Sequence, residues 1–165
     1  MSDVAQVEEV ADRAVRITRS FPAPRATIWR AFTDKAVLVH WLAGPPGWEM
    51  EACDITLQPG GGYRWLWRHP DTGERFGFKG TYRVVEPGRR VIDKQRFDQD
   101  GQALPAHART LNTVVFEDEG QGCRVTTIIR YPDQATRDMV VSEGLGEGME
   151  LSYQRLERLL LRVAA

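Results

Sequence analysis

The alternation of apolar and polar residues predicts β-strands over most of the chain. In Arg13–Phe21, Val15 and Ile17 alternate with polar neighbours at the period of two expected for a half-buried strand. Between Trp48 and Arg130 the pattern recurs, interrupted by turn residues. Six further strands are predicted there: Glu49–Leu57, Tyr63–His69, Arg75–Val85, Val91–Phe97, Arg109–Glu117 and Cys123–Tyr131. Because most of the connections between them are short, we expect an antiparallel meander.

A helical period appears on both sides of this β region. Pro24 stands at a favourable first helical position, and apolar residues at helical spacing predict a helix that ends near Thr33. Asp34 can cap a second short helix, which ends before Gly44. Beyond Pro132, one apolar stripe predicts a long helix from about Asp133 to Leu161.

The order of the predicted elements indicates an α+β protein with a helix-grip fold. In such a fold a curved seven-stranded antiparallel sheet wraps around a long C-terminal helix, and here two short helices follow strand 1. We expect one domain over residues 13–161, a flexible leader over 1–12 and a tail over 162–165.

Composition and charge narrow the classes of partner. The chain has 165 residues, of which 42% are hydrophobic and 27% charged, and this suits one globular domain with a sizeable core. A formal net charge of −1 provides no global field for nucleic acid or an anionic membrane, so any partner must be recognised locally. No apolar run approaches the roughly 18 residues of a membrane span, and no export signal is evident. We therefore expect a cytoplasmic protein that neither binds nucleic acid nor inserts into a membrane.

Cysteine and histidine spacing points away from disulfides and bound metals. Cys53 and Cys123 lie too far apart for a CxxC motif, and His40, His69 and His107 form no HxxxH or HExxH pair. We expect reduced thiols, no metal site and no cofactor.

Several short segments, taken together and in order, resemble a known family. Within the START/Bet v 1-like (SRPBCC) superfamily, the chain is similar to the carboxy-terminal domain of the activator of Hsp90 ATPase, from about Arg13 to Leu160. The segments that carry the resemblance are Phe21–Arg25, Ile28–Thr33, Trp41, Leu57–Gly61, Phe78–Tyr82, Thr113–Phe116, Gly148–Met149 and Arg155–Leu156. The resemblance implies a helix-grip fold that commonly encloses a cavity between its sheet and its long helix.

Aromatic residues concentrate on two neighbouring predicted strands. Tyr63, Trp65 and Trp67 occupy alternate positions of one strand and therefore face the same side of the sheet. On the next strand, Phe76, Phe78 and Tyr82 also share one side. Such rings can line a ligand cavity, or they can simply pack a core. We expect a small hydrophobic or aromatic ligand. We also expect Trp65, with Tyr63 and Trp67, to point from its strand towards that ligand. The candidate ligand-binding residues are Trp41, Tyr63, Trp65, Trp67, Phe76, Phe78, Tyr82, Phe97, Asn112, Leu145 and Met149.

Two further functions stay open at this level. The wider superfamily suggests an enzyme of the polyketide cyclase or aromatase type, for which His107 and Asp93 are the nominated acid–base pair, with Arg109 and Asn112 as further polar candidates. No GxSxG nucleophile or carboxylate pair is evident, so the pattern names no catalytic residue. The family resemblance also suggests an Hsp90-associated module, although we expect a stand-alone role. The sequence does not predict the oligomeric state of the protein.

Three glycines lie inside the predicted long helix. Gly144, Gly146 and Gly148 each cost the helix up to about 1 kcal/mol relative to alanine. Close packing, a kink or a hinge can explain them, and we favour packing or a static kink.

Overall fold

The strands of the protein form one continuous antiparallel sheet. The computed structural model describes residues 4–42, 44–99 and 109–164. Within them the sheet has eight strands in the order β1-β2-β8-β7-β6-β5-β4-β3. The strands are β1 Gln6–Val10, β2 Ala14–Phe21, β3 Glu49–Ile55, β4 Gly62–Arg68, β5 Arg75–Glu86, β6 Arg90–Gln99, β7 Arg109–Glu119 and β8 Gly122–Arg130.

The helices lie in two groups along the chain. They are α1 Arg25–Thr33, α2 Lys35–Leu38, α3 Gln134–Ser142 and α4 Leu145–Ala164. The Asp34 side chain caps α2 by accepting a hydrogen bond from the Ala36 N–H, and Asp133 caps α3 by accepting one from Thr136. No helix within the described ranges combines the length and hydropathy of a membrane span.

One face of the sheet, here called the inner face, packs against the helices. On β2 the residues Val15, Ile17 and Phe21 point to this side and are buried. Phe21 makes edge contacts with Phe32 of α1 and Tyr153 of α4. Residues that pair directly on neighbouring strands point to the same side of the sheet, so the strand register shows which residues of the other strands belong to the inner face. The opposite side is called the outer face.

A buried cation joins the sheet to the last helix. Arg19 on β2 is 1% exposed and forms ion pairs with Glu150 and Glu157 of α4, each at 3.1 Å. Glu150 also accepts a hydrogen bond from the Ala5 N–H, immediately before β1. Since a buried charge is costly unless it is paired, these contacts fix α4 against this edge of the sheet.

The sequence prediction of the fold class is confirmed, with two corrections. Gln6–Val10, within the predicted leader, pairs with β2 as β1, so the described part of the chain forms a sheet of eight strands rather than seven. The single C-terminal helix is also interrupted, because Gly144 adopts a φ of +98° between α3 and α4. That left-handed conformation suits glycine and ends α3.

The other two glycines differ in their surroundings. A Cβ atom on Gly146 would lie 2.8 Å from Val7 Cγ2, so the small residue permits close approach of α4 to β1. Gly148 is exposed, and a Cβ there would meet nothing within 4 Å. Packing therefore accounts for Gly146, and a static break in the helix accounts for Gly144.

Candidate ligand-binding site on the inner face

Seven aromatic side chains occupy the inner face of β4, β5 and β6. The register pairs Trp65 with Phe78 and Phe78 with Phe97, and it pairs Trp67 with Phe76. All of these residues therefore point to the side of the sheet that carries the helices. We call this set the aromatic wall: Tyr63, Trp65, Trp67, Phe76, Phe78, Tyr82 and Phe97.

The rings of the aromatic wall contact one another in two groups, one around Tyr63 and one around Trp67. Tyr63 stacks on Trp65 with centroids 4.3 Å apart, and Trp67 stacks on Phe76 at 5.1 Å. Phe78 and Phe97 meet at 5.4 Å. Tyr63, Trp67 and Tyr82 are buried, whereas Trp65, Phe76, Phe78 and Phe97 are only partly buried. The wall thus retains aromatic surface that a further apolar group can cover.

Gly80 explains how the Tyr63 ring fits against the sheet. The two residues pair directly between β4 and β5, and a Cβ atom on Gly80 would collide with the Tyr63 ring. Glycine at this position leaves space for the ring to lie over the neighbouring strand. This packing gives a physical role to the glycine of the Phe78–Tyr82 segment.

A polar network lies beside the aromatic wall. Tyr63 Oη donates a hydrogen bond to Asp93 Oδ1 at 2.7 Å, and Gln95 Nε2 donates to Tyr63 Oη at 2.9 Å. Asn112 Nδ2 donates to the same Asp93 oxygen at 3.4 Å. Asp93 lies between Tyr82 and Asn112 in the register, so the network crosses the middle of the inner face.

Burial changes the acid–base properties of this network. It raises the pKa of Asp93 to about 6, although the hydrogen bonds from Tyr63 and Asn112 oppose the shift. The pKa of Tyr63 is raised well above its usual value, first by burial and then by the nearby Asp93 charge. Tyr63 therefore remains a hydrogen-bond donor near neutral pH, while Asp93 titrates close to it.

Three buried polar atoms on the inner face have no hydrogen-bond partner among the described residues. They are Trp65 Nε1, Thr110 Oγ1 and Asn112 Oδ1. Buried polar groups are satisfied in most cases, and each exception needs an explanation. Among the described residues, the inner face therefore has both an unpaired donor and an unpaired acceptor.

The structure places the remaining candidate residues in different surroundings. Trp41 is fully buried in the main core, and its indole N–H donates to the Ala31 carbonyl. Leu145 and Met149 of α4 are partly buried against the same core. Their contact with a ligand stays a prediction. His107 lies outside the described residues, so the proposed pair with Asp93 is not tested.

The position of Arg109 in the structure differs from the one expected from the sequence. The sequence suggests Arg109 as a polar residue of the pocket, but it pairs with Arg96 and lies on the outer face. Its alternation with Thr110 and Asn112 places the two neutral residues on the inner side and the arginine on the other.

Sequence reasoning missed part of the site. Gln95 and Thr110 join the inner face through register, and parity with Phe97 and Asn112 is the signal that could have found them. Trp48 contacts Phe76 at 4.9 Å from the loop before β3, where no periodic pattern marks it. The described part of the chain holds no group of three or more His, Cys, Asp and Glu side chains able to bind a metal ion.

A depression of about 980 Å³ opens on the outer face of the sheet. The resemblance implied a cavity on the other side, between the sheet and the C-terminal helix. At the β2 edge that space is filled by Phe21, Tyr153 and their neighbours. The cavity between sheet and helix stays a prediction, centred on the partly buried rings of β4 to β6.

Solved structures of several bacterial proteins share this architecture. A protein from Rhodobacter sphaeroides is 28% identical with a TM-score of 0.87, and the match covers 97% of this chain and 99% of that chain. A protein from Mycobacterium smegmatis is 24% identical with a TM-score of 0.78, covering 94% and 97% of the two chains. A protein from Nitrosomonas europaea is 22% identical with a TM-score of 0.79, covering 94% and 99%. These likenesses support the fold.

The family follows from the sequence as a whole. No curated protein matches the chain significantly. The family model described as activator of Hsp90 ATPase homolog 1-like protein matches residues 22–161, which include α1, most of the sheet and nearly all of α4. The chain therefore belongs to the activator of Hsp90 ATPase homolog 1-like family, within the SRPBCC/Bet v 1-like superfamily.

Proposed function

We propose that the protein binds a small, flat and largely apolar molecule against the aromatic wall. The observation that carries the proposal is the combination of partly buried rings with unpartnered polar atoms on one face of the sheet. Rings alone can pack a core. A buried indole N–H and a buried amide oxygen without partners support a ligand that bears hydrogen-bonding groups.

Apolar burial provides the main driving force. At about 25 cal/mol per Å², covering about 200 Å² of ligand surface contributes about 5 kcal/mol before ordering costs. Phe78 and Phe97 supply partly buried surface near the middle of the wall. A flat molecule suits this surface because aromatic rings pair by offset stacking or edge contacts.

The polar atoms set the orientation of the ligand. Trp65 Nε1 can donate to a hydroxyl or carbonyl oxygen, and Asn112 Oδ1 can accept from a hydroxyl or an amine. A hydrocarbon without such groups leaves both atoms unpaired, and that has a free-energy cost. We therefore expect selectivity for an aromatic molecule that carries at least one hydroxyl or carbonyl group.

The probe 2-naphthol tests this function, because it combines a flat ring system with one hydroxyl group. We expect saturable binding by isothermal titration calorimetry, and a loss of affinity of about fivefold or more in Phe78→Leu, which removes one ring of the wall. Native mass spectrometry of the purified protein adds an independent search for a retained aromatic molecule.

Phe32→Leu is the matched control. Phe32 is also a partly buried phenylalanine, but it packs in the main core against Phe21 and Tyr153. We expect Phe32→Leu to lower thermal stability while leaving naphthol affinity within about twofold, since its ring is not part of the wall. Equal losses of affinity in both variants, or no saturable binding to the parent protein, would contradict the proposal.

The two other functions raised by the sequence remain predictions. Cyclase or aromatase chemistry requires a substrate that turns over and is lost when Asp93 and His107 are both replaced. An Hsp90-associated role, which the family name suggests, requires stimulation of the ATPase of purified Hsp90. The ligand-binding proposal needs neither activity.

A further inference from the structure

Four cations lie side by side on the outer face of the sheet. Register pairs Arg64 with Lys79, Lys79 with Arg96 and Arg96 with Arg109, so one row of positive charge crosses β4, β5, β6 and β7. All four side chains are exposed. With strands about 4.8 Å apart, the row is about 14 Å long.

The row is costly to the folded protein. Like charges directly opposite each other destabilise a sheet. None of Arg64, Lys79, Arg96 and Arg109 forms an ion pair with another described residue, whereas Arg75 and Arg124, elsewhere on the sheet, pair with Glu51 and Glu117. In the register the row has one carboxylate at its end, that of Asp54 on β3 opposite Arg64, so the fold tolerates four adjacent cations beside a single acid.

The row lies in the depression on the outer face. Its lining contains seven cationic residues and one carboxylate, that of Asp54. The cations are Arg13, Arg64, Lys79, Lys94, Arg96, Arg109 and Arg130. Since the whole chain has a formal charge of −1, positive charge is concentrated here while the rest of the molecule is net acidic.

Size and surroundings indicate which anion fits. A depression of about 980 Å³ matches a small molecule rather than a protein partner, which requires a much broader surface. Its two lining aromatics, Tyr63 and Tyr131, are buried, so no stacking platform is available for nucleic-acid bases. No exposed large hydrophobic residue lines it, so there is no apolar anchor for a membrane surface.

We propose that this basic depression binds a compact polyphosphate group, in which several linked phosphates lie along the row of cations. Arginine, which supplies five of the seven cations, presents a planar pair of donors that suits phosphate oxygens. The linked phosphates can belong to an inorganic chain or to the tail of a nucleotide. The site is on the opposite face from the aromatic wall, so its test is independent of the function proposed above.

Calorimetric titration of the full chain with tripolyphosphate, at about 50 mM salt, tests the proposal. We expect binding that weakens steeply as salt is raised, and a loss of about tenfold or more in the double variant Arg64→Gln/Arg96→Gln. Without ligand, the single variant Arg96→Gln should melt at a higher temperature than the parent, because Arg96 lies between Lys79 and Arg109 and its removal relieves charge repulsion. Lys79→Gln/Lys94→Gln provides a second pair from the same depression.

Arg158→Gln/Arg162→Gln is the matched control, since both residues are exposed on α4, outside the depression, and the change in net charge is the same. Its affinity should stay within about twofold of the parent. Adenosine triphosphate in place of tripolyphosphate distinguishes a nucleotide tail from an inorganic chain.

Four results would overturn the proposal. They are no binding at low salt, equal losses in the control and depression variants, inorganic phosphate binding as tightly as tripolyphosphate, and tighter binding of polyglutamate, single-stranded oligonucleotide or phosphatidylserine vesicles.

Discussion

Asp93 is 6% exposed as a residue, and its carboxyl group forms no ion pair with the described residues. Its hydrogen bonds come from neutral groups, Tyr63 and Asn112. Neutral donors compensate only part of the desolvation of a carboxylate, so ionisation of Asp93 is less favourable in the folded protein than in the unfolded chain. A ligand that donates a hydrogen bond nearby therefore meets an acceptor whose charge depends on pH.

We predict that Asp93 makes folding stability fall as pH rises from about 4 to about 7. The pKa is about 6 in the folded state and lower in the unfolded state, so the folded state binds more protons over this interval. Asn at this position does not titrate. Urea unfolding of the parent and Asp93→Asn should give a difference in free energy of unfolding, parent minus variant, that decreases over this range and then levels off. A difference that is constant or that increases with pH would contradict the burial of the carboxyl group.

At the scale of elements, the break between α3 and α4 and the approach of α4 to β1 depend on different glycines. Gly144 turns the chain with its positive φ, and Gly146 lets α4 lie against Val7. The Arg19 ion pairs with Glu150 and Glu157 then hold α4 on the sheet. The first turns of α4 are therefore fixed by packing, and the helix does not need Gly148 for contact.

We predict opposite consequences for two alanine substitutions in α4. Gly148→Ala should stabilise the protein by up to about 1 kcal/mol, because alanine favours an exposed helical position. Gly146→Ala should gain less or lose stability, because its Cβ displaces the stiff Val7 side chain. Thermal and chemical unfolding of both variants gives the comparison. A gain in Gly146→Ala equal to that in Gly148→Ala would show that β1 does not pack closely on α4.

At the scale of the whole molecule, the sheet separates two kinds of surface. Its inner face carries the aromatic wall and the polar network, and its outer face carries the row of cations from Arg64 to Arg109. Strand alternation produces this separation, because β4, β5 and β6 each contribute rings to one side and cations to the other. The two proposed ligands therefore differ in chemistry and bind on opposite sides of one sheet.

The sequence predicts much of this arrangement. It does not predict the features that depend on the register between strands or on single contacts between distant residues. Alternation and turn residues located strands β2 to β8, and parity grouped Trp65 with Trp67. The same alternation does not reveal which residues of neighbouring strands are paired, so the contact of Tyr63 with Asp93 and the row of cations depend on the register of the sheet. The polar residues around Val7 concealed β1, which is an edge strand with little burial.

The most direct test of the central claim, binding at the aromatic wall, is the ¹H–¹⁵N spectrum of the tryptophan indoles during titration with 2-naphthol. The chain has five tryptophans, and Trp65→Phe assigns the signal of Trp65. Its buried indole N–H has no partner among the described residues, whereas those of Trp41 and Trp67 already donate to the carbonyls of Ala31 and Leu42. We predict that the Trp65 signal shifts most and saturates with the binding curve, while the signals of Trp41 and Trp67 move little. An unchanged Trp65 signal at saturation, or a larger shift at Trp41, would contradict binding at the aromatic wall.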